Sequence, residues 1–349
     1  MGKSQVIGFA CAYTPLALIH AAGFTPFRVL PNVDCPDQAA QLLHDNLCPH
    51  VKRILDRAMS GNLPELEGMV FMNSCDAMRR LYDAWQIVRP EDKTILVDLP
   101  VTASANSIAF FRGELQRAAA ILETWGDTLI TREKVAGSIQ LYNQLAENFA
   151  KLRYSGQNGS FQIGAAALQK VCNMASCEAP EKSVGHLESL LADPGVQPQE
   201  DRVPIYLFGN MLPEPEAFDL FEACGARIIG EDLCTGSRLF KKITAGSSGD
   251  IFLDLAGGIL RSQPCARTFD GSLPGRLARD IVAEARSRRV RGVIGYTVKF
   301  CDPYLARLPG IRETLKNAGI PFLFLEGDCT MRSMGQQQTR IEAFIEMLR

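Results

Sequence analysis

Short runs of apolar, β-branched residues alternate along this chain with longer stretches whose apolar positions recur every three to four residues. Val6–Ala10 reads as a first strand. Thr14-Pro15 then supplies an N-cap and a proline at the first helical position; Leu16, Leu18, Ile19 and Ala22 carry the apolar face, and Gly23 closes the helix. Phe27–Leu30, Gly68–Met72 and Thr94–Val97 follow as strands. The second half repeats this order. Pro204–Phe208 is a strand, Pro215 opens a helix with apolar Phe218, Phe221 and Cys224, Gly225 ends it, and Ala226–Ile229 returns as a strand. "LEGMVFMNSCD", ending at Asp76, is echoed by "VRGVIGYTVKFCD", ending at Asp302, and each leads through a helix to another strand, "KTILVDLP" and then "PFLFLEGD". Strands alternating with helices predict βαβ units around parallel sheets.

The repeat, at a period of about 200 residues, predicts a pair of doubly wound α/β domains rather than a solenoid. We place them at residues 1–128 and 201–349, joined by a helical segment over 129–200. Leu115, Ala118, Ile121, Leu122 and Trp125 have helical spacing and read as core. Tyr154–Ser160 and Asp193-Pro194-Gly195 read as exposed turns.

Composition narrows the function classes. The 349 residues are 46% hydrophobic and 22% charged with a net charge of -2, so neither disorder nor a nucleic-acid-binding basic face is expected. No run is long and apolar enough for a membrane span, and the first residues lack the pattern of a secretory signal, so the expected place is the cytoplasm. There is no phosphate loop, no G-x-G-x-x-G after the first strand, no G-x-S-x-G elbow and no H-E-x-x-H among the four histidines.

The eleven cysteines are the anomaly. They are odd in number and lie in a long chain without a secretory signal, which argues against a disulfide framework and leaves metal binding, redox work or plain burial. There is no C-x-x-C; Cys172 and Cys177 are the nearest pair. Position is more informative than spacing. Cys11 ends the first strand, Cys75 and Cys301 end matching strands of the two halves in Cys-Asp pairs, Cys234 follows the Ala226–Ile229 strand, and Cys48-Pro49 opens a helix. Ligands of open α/β sheets bind beyond the carboxyl ends of the strands, so these thiols should converge there, near helix N-termini that favour thiolate. Thiolates at such a place suit an iron–sulfur cluster; small buried apolar side chains remain the alternative for each cysteine taken singly.

Six stretches carry a resemblance: "CAYTPLALIHAAGFTPFRV", "LCPHVKRILD", "NSCDAMRRLYDAW", "GEDLCTGSRLF", "KFCDP" and "GQQQTRIEAFIEML". Together they span nearly the whole chain, which resembles the 2-hydroxyacyl-CoA dehydratase and benzoyl-CoA reductase component family, a family that also contains double-cubane cluster proteins. The resemblance implies two flavodoxin-like domains with an iron–sulfur cluster in the cleft between them, and electrons delivered by a separate ATP-hydrolysing activator with its own [4Fe-4S] cluster. In the dehydratase branch it implies one [4Fe-4S] cluster on Cys48, Cys75 and Cys301, with the open iron position meeting a thioester carbonyl and a ketyl radical anion expelling the neighbouring hydroxyl. In the double-cubane branch it implies an [8Fe-9S] cluster on six cysteines, which here would be Cys11, Cys48, Cys75, Cys234, Cys265 and Cys301.

The six-cysteine count favours the double-cubane branch, working as a homodimer on a small-molecule substrate, with no membrane or nucleic-acid partner. A 2-hydroxyacyl-CoA dehydratase subunit is the alternative, and an electron-storage or cluster-carrier protein without its own substrate is the alternative of another class. Cys329, after Asp328, stands where an aromatic is more usual and has no assigned role. Cys35, Cys172, Cys177 and Cys224 are read as structural. Arg238 and Lys299 are candidates to offset cluster charge, each with a surface ion pair as the plainer reading. His44, His50 and Gln336 are the candidate proton or hydrogen-bond donors, Gln336 because Gln336–Arg340 open the last helix toward the same cleft.

Overall fold

The computed structural model describes residues 5–32, 34–154, 163–192, 201–244, 246, 248–262, 265–329 and 334–349. Tyr154 closes a helix within them, whereas the expected turns at 155–160 and 193–195 lie outside the described residues.

The first half builds β1 (Val6–Phe9), α1 (Leu16–Ala21), β2 (Thr25–Arg28), α2 (Pro49–Met59), β3 (Gly68–Asn73), α3 (Asp76–Val88), β4 (Thr94–Asp98) and α4 (Ala105–Gly126). Three helices follow: α5 (Arg132–Tyr154), α6 (Ala165–Ala175) and α7 (Pro180–Ala192). The second half builds β5 (Val203–Gly209), α8 (Pro215–Ala223), β6 (Ala226–Asp232), α9 (Ile251–Arg261), α10 (Arg276–Ser287), β7 (Gly292–Val298), α11 (Asp302–Asn317), β8 (Phe322–Gly327) and α12 (Met334–Leu348).

Each half forms a four-stranded parallel sheet, in the orders β2-β1-β3-β4 and β6-β5-β7-β8. These are the same doubly wound order, as the internal repeat predicts. The central strands are apolar on both faces, because helices cover both: every residue of β7 and all of β3 but Asn73 are buried. The helices bury one stripe each. In α2 the stripe is Val51, Ile54, Leu55 and Ala58; in α4 it is Ile108, Phe111, Leu115, Ala118, Ala119 and Leu122. Ser104 caps α4 by accepting from the Ser107 N–H at 3.2 Å, and Asp250 caps α9 by accepting from Phe252 and Leu253.

Two details differ from the expectation. The second strand runs Thr25–Arg28 rather than Phe27–Leu30, because its register is set by pairing with Val6–Phe9. Pro26 is tolerated there because β2 is an edge strand. Helix α9 has no counterpart in the first half. Its Leu255, Ala256, Ile259 and Leu260 pack into the core around α4, so the second half reaches over and completes the first half's apolar cluster.

Candidate functional site

In a sheet of this order the crevice opens where the winding reverses, beyond the ends of the first and third strands. Cys11 leaves β1 and Cys75 leaves β3 in the first half; Cys301 leaves β7 in the second. Three cysteines share a local design. Cys48, Cys75 and Cys301 are the N-cap residues of α2, α3 and α11, and proline takes the first turn of α2 and α11. None makes a conventional side-chain capping bond, so the sulfurs stay available. The N–H groups of His50 and Val51, of Met78 and of Tyr304 nevertheless favour the thiolate at Cys48, Cys75 and Cys301 respectively. Burial works against them, pushing Cys48 up to about 12 and Cys75 to about 11.

The six cysteines are brought together. Cys48 lies within electrostatic reach of Cys301 and Cys75, Cys75 of Cys11 and Cys301, and Cys11 and Cys301 of Cys234. The neighbouring Cys265 thiol, then the charges of Arg238 and Arg28, act against burial to hold Cys234 well below the usual thiol range. The Cys265 N–H donates to the Tyr13 hydroxyl at 3.1 Å, tying the Cys265 loop to the residues that follow β1. All six are partly buried.

Buried cations surround them. Arg238 Nη1 donates to Cys234 Sγ at 3.0 Å and to the Gly209 carbonyl at 2.9 Å, while its Nη2 meets Asp232 Oδ2 at 2.9 Å and the Tyr304 hydroxyl at 2.9 Å. Arg28, at the end of β2, crosses to the other half: its Nη1 donates to the Cys234 carbonyl at 2.5 Å and its Nη2 to the Ala10 carbonyl at 3.4 Å. Arg28 and Arg238 are 1% and 5% exposed, and their Nε atoms have no hydrogen-bond partner. Lys241 approaches Asp232 at 3.7 Å, and burial pulls its ammonium down to about 8. Arg238 and Lys241 thus share the buried carboxylate Asp232, with Glu231 already paired to Arg153, while buried Arg28 meets, among the described residues, only carbonyls, a thioether and the cysteines. That excess is costly unless further negative charge joins it, and thiolates are the groups at hand.

The remaining expected residues fall differently. His50 is buried beside Arg28, its Nδ1 without a partner; burial and then Arg28 hold it at about 3, so the ring is neutral near pH 7. His44 is exposed and accepts from the Asn46 N–H at 3.2 Å. Gln336 is exposed on the first turn of α12, whereas Gln337 is buried and donates to the Glu326 carbonyl. Lys299 is exposed. Cys329 is fully buried, within electrostatic reach of Cys48. Cys172 and Cys177 lie within reach of Arg28. Sequence reasoning missed Arg28, Asp232, Lys241, Tyr13 and Tyr304. The only sign of Arg28 was a charge inside an apolar run, "TPFRVL".

The donor set, partly buried thiols, is of the kind an iron–sulfur cluster takes. Among the described residues no three His, Cys, Asp or Glu side chains close on one point as a single ion requires. A cluster differs, because each thiolate binds its own iron and the cluster body separates the sulfurs.

The family model described as 2-hydroxyglutaryl-CoA dehydratase, D-component, matches residues 11–348. The chain belongs to this family. Among its relatives is the (R)-phenyllactyl-CoA dehydratase beta subunit of Clostridium sporogenes, 23% identical over 99% of this chain and 92% of that protein. The lactoyl-CoA dehydratase subunit beta of Anaerotignum propionicum is 22% identical over 99% and 92%. A benzoyl-CoA reductase subunit of Thauera aromatica is 22% identical over 91% and 84%. The D-component match begins just after β1 and takes in the rest of both sheets and all six cysteines. No helix among the described residues is long and apolar enough to cross a membrane.

Proposed function

We propose that this D-component family member is a homodimeric cytoplasmic reductase. Its Cys11, Cys48, Cys75, Cys234, Cys265 and Cys301 would hold a double-cubane [8Fe-9S] cluster, and an ATP-hydrolysing activator with its own [4Fe-4S] cluster would reduce it. When bound, that cluster supplies single electrons at low potential to a small substrate. The observation that carries this reading is the convergence of six thiols, rather than three, on a centre with an excess of buried positive charge.

The protein's own residues have definable parts in it. Cys48, Cys75 and Cys301 present sulfur at helix N-termini, where N–H groups and the helix dipole offset thiolate charge. Arg238 orients Cys234 and neutralises it; Tyr304 donates to the Gly209 carbonyl at 2.6 Å and fixes the strand end beneath. Arg28 holds the Cys234 loop against the first half. Hydrogen bonds to sulfur and burial are the means by which a protein sets a cluster's potential.

One observation favours the dehydratase alternative, with a single [4Fe-4S] cluster on Cys48, Cys75 and Cys301. A cavity of about 820 Å³ lies between the residues after β4 (Pro100–Ser104), the end of α9, residues 268–277 and α11. It adjoins the Cys265 loop through Thr268 and is large enough for an extended acyl thioester.

Serine substitution separates the two. Cys234→Ser or Cys265→Ser should lower the iron content of anaerobically purified protein by about half or more, since each removes a thiolate from the larger cluster. Unchanged iron in both variants would leave the three helix-capping cysteines as the ligands and the six-cysteine reading wrong.

A further inference from the structure

A second cavity, of about 470 Å³, lies along the outer edge of the second sheet and is lined by none of the six cysteines discussed above. Its floor is edge strand β6 over Arg227–Glu231, and its walls come from α5, α6, α8 and the end of α10. Four guanidiniums line it, Arg153, Arg227, Arg288 and Arg289, against one carboxylate, Glu231. Arg153 pairs with Glu231 at 3.0 Å, and Arg288 donates to Glu284 and to the Ile229 carbonyl. Arg227 is different: its Nε is buried and has no hydrogen-bond partner. Arg289 is different again. It stands just past the end of α10 at φ 52, completing a turn in which the Val290 N–H reaches the Ala285 carbonyl. Glycine is the residue that suits that position, so Arg289 holds its guanidinium there at some backbone strain. Apolar side chains, Leu168, Phe218 and Ile228 among them, supply the rest of the lining.

We propose that this cavity binds a small organic anion, a phosphate or carboxylate on an apolar body, with Arg227 and Arg289 gripping the head group. A guanidinium fork matches either head group, and a recess of this size with a few charged groups in an apolar wall is the ordinary form of a small-molecule site. The site also has a route to the cysteine centre. Glu231, which holds Arg153 on the cavity side, accepts from the Leu233 N–H at 2.9 Å and the Ser237 N–H at 2.7 Å on the loop that carries Cys234. An anion that competes for Arg153 loosens Glu231 and, through it, that loop.

The test is calorimetric titration of the full-length protein with phenyl phosphate, phenylacetate and inorganic phosphate. Binding is read directly, so the result does not depend on the cluster assignment. Phenyl phosphate or phenylacetate should bind at least tenfold more tightly than inorganic phosphate, and whichever binds better identifies the head group. Arg227→Gln should weaken it tenfold or more. Arg289→Gly is the second variant: it should raise the melting temperature, by relieving the left-handed backbone, and still weaken binding. No binding by wild type, equal binding of inorganic phosphate, or undiminished binding by both variants overturns the proposal.

Discussion

Arg238 and Cys234 meet at 3.0 Å, guanidinium nitrogen to sulfur, and the same nitrogen reaches the Gly209 carbonyl at 2.9 Å. One buried side chain therefore sets both the charge of a candidate ligand and the position of the strand end behind it. Arg238→Gln should deprive buried Asp232 of its nearest countercharge, Arg238 at 2.9 Å against Lys241 at 3.7 Å, costing about 3–5 kcal/mol of stability. Arg238→Lys should recover part of that stability. It should not restore the reduction potential of the loaded protein, because an ammonium does not reproduce the fork that touches Cys234, Gly209 and Tyr304 together. Chemical denaturation and potentiometric titration of both variants check this; equal potentials in wild type and Arg238→Lys would contradict it.

Arg28 joins the two halves. Arg28→Met should strand the Cys234 carbonyl in a buried place, at about 1–3 kcal/mol for the group left unpaired, whereas the Ala10 carbonyl keeps His50 as a donor. Hydrogen exchange should quicken first in residues 233–240 and in the segment after β1, before either sheet is affected. Uniform quickening across both sheets would show that Arg28 stabilises the fold generally and has no special hold on the cysteine loop.

Much of this was legible in the sequence, and the reason is local. Strand–helix alternation, the duplication, and cysteines just before Pro49, Asp76 and Asp302 are short-range patterns, and they predict parallel sheets with thiols at strand ends and helix starts. The buried cations were not legible, because burial is a tertiary property. Arg28 ends an edge strand that looks half-exposed until the Cys234 loop of the other half covers it. His50 follows the same rule: beside Cys48 it reads as a polar candidate, yet the fold buries it neutral next to Arg28. The slip of β2 by two residues came from pairing register, which apolar runs alone do not fix.

Cys329 gives a control. It is fully buried at φ 60, near Cys48, but stands outside the six-cysteine set. Cys329→Ala should leave iron content and the visible absorption spectrum unchanged while lowering stability by about 1 kcal/mol through the small void. Loss of iron would make Cys329 a ligand and require the set to be redrawn.

Glu214 sets a pH dependence. Burial, with Glu216 and Asp328 nearby, raises its carboxyl from 4.5 to about 7. A carboxyl raised in the folded state favours folding most below its unfolded value, and that contribution is lost as pH rises from about 4.5 through 7. Glu214→Gln should therefore be more stable than wild type at pH 8 by about 2–3 kcal/mol and nearly equal to it at pH 5. Thermal unfolding at the two pH values checks the sign; a larger gain at pH 5 would contradict it.

The most direct test of the central claim is iron and acid-labile sulfide per subunit in anaerobically purified protein. The six-cysteine centre predicts about eight irons. About four would contradict it in favour of the three helix-capping cysteines, and none, under full exclusion of oxygen, would contradict a cluster at this centre altogether.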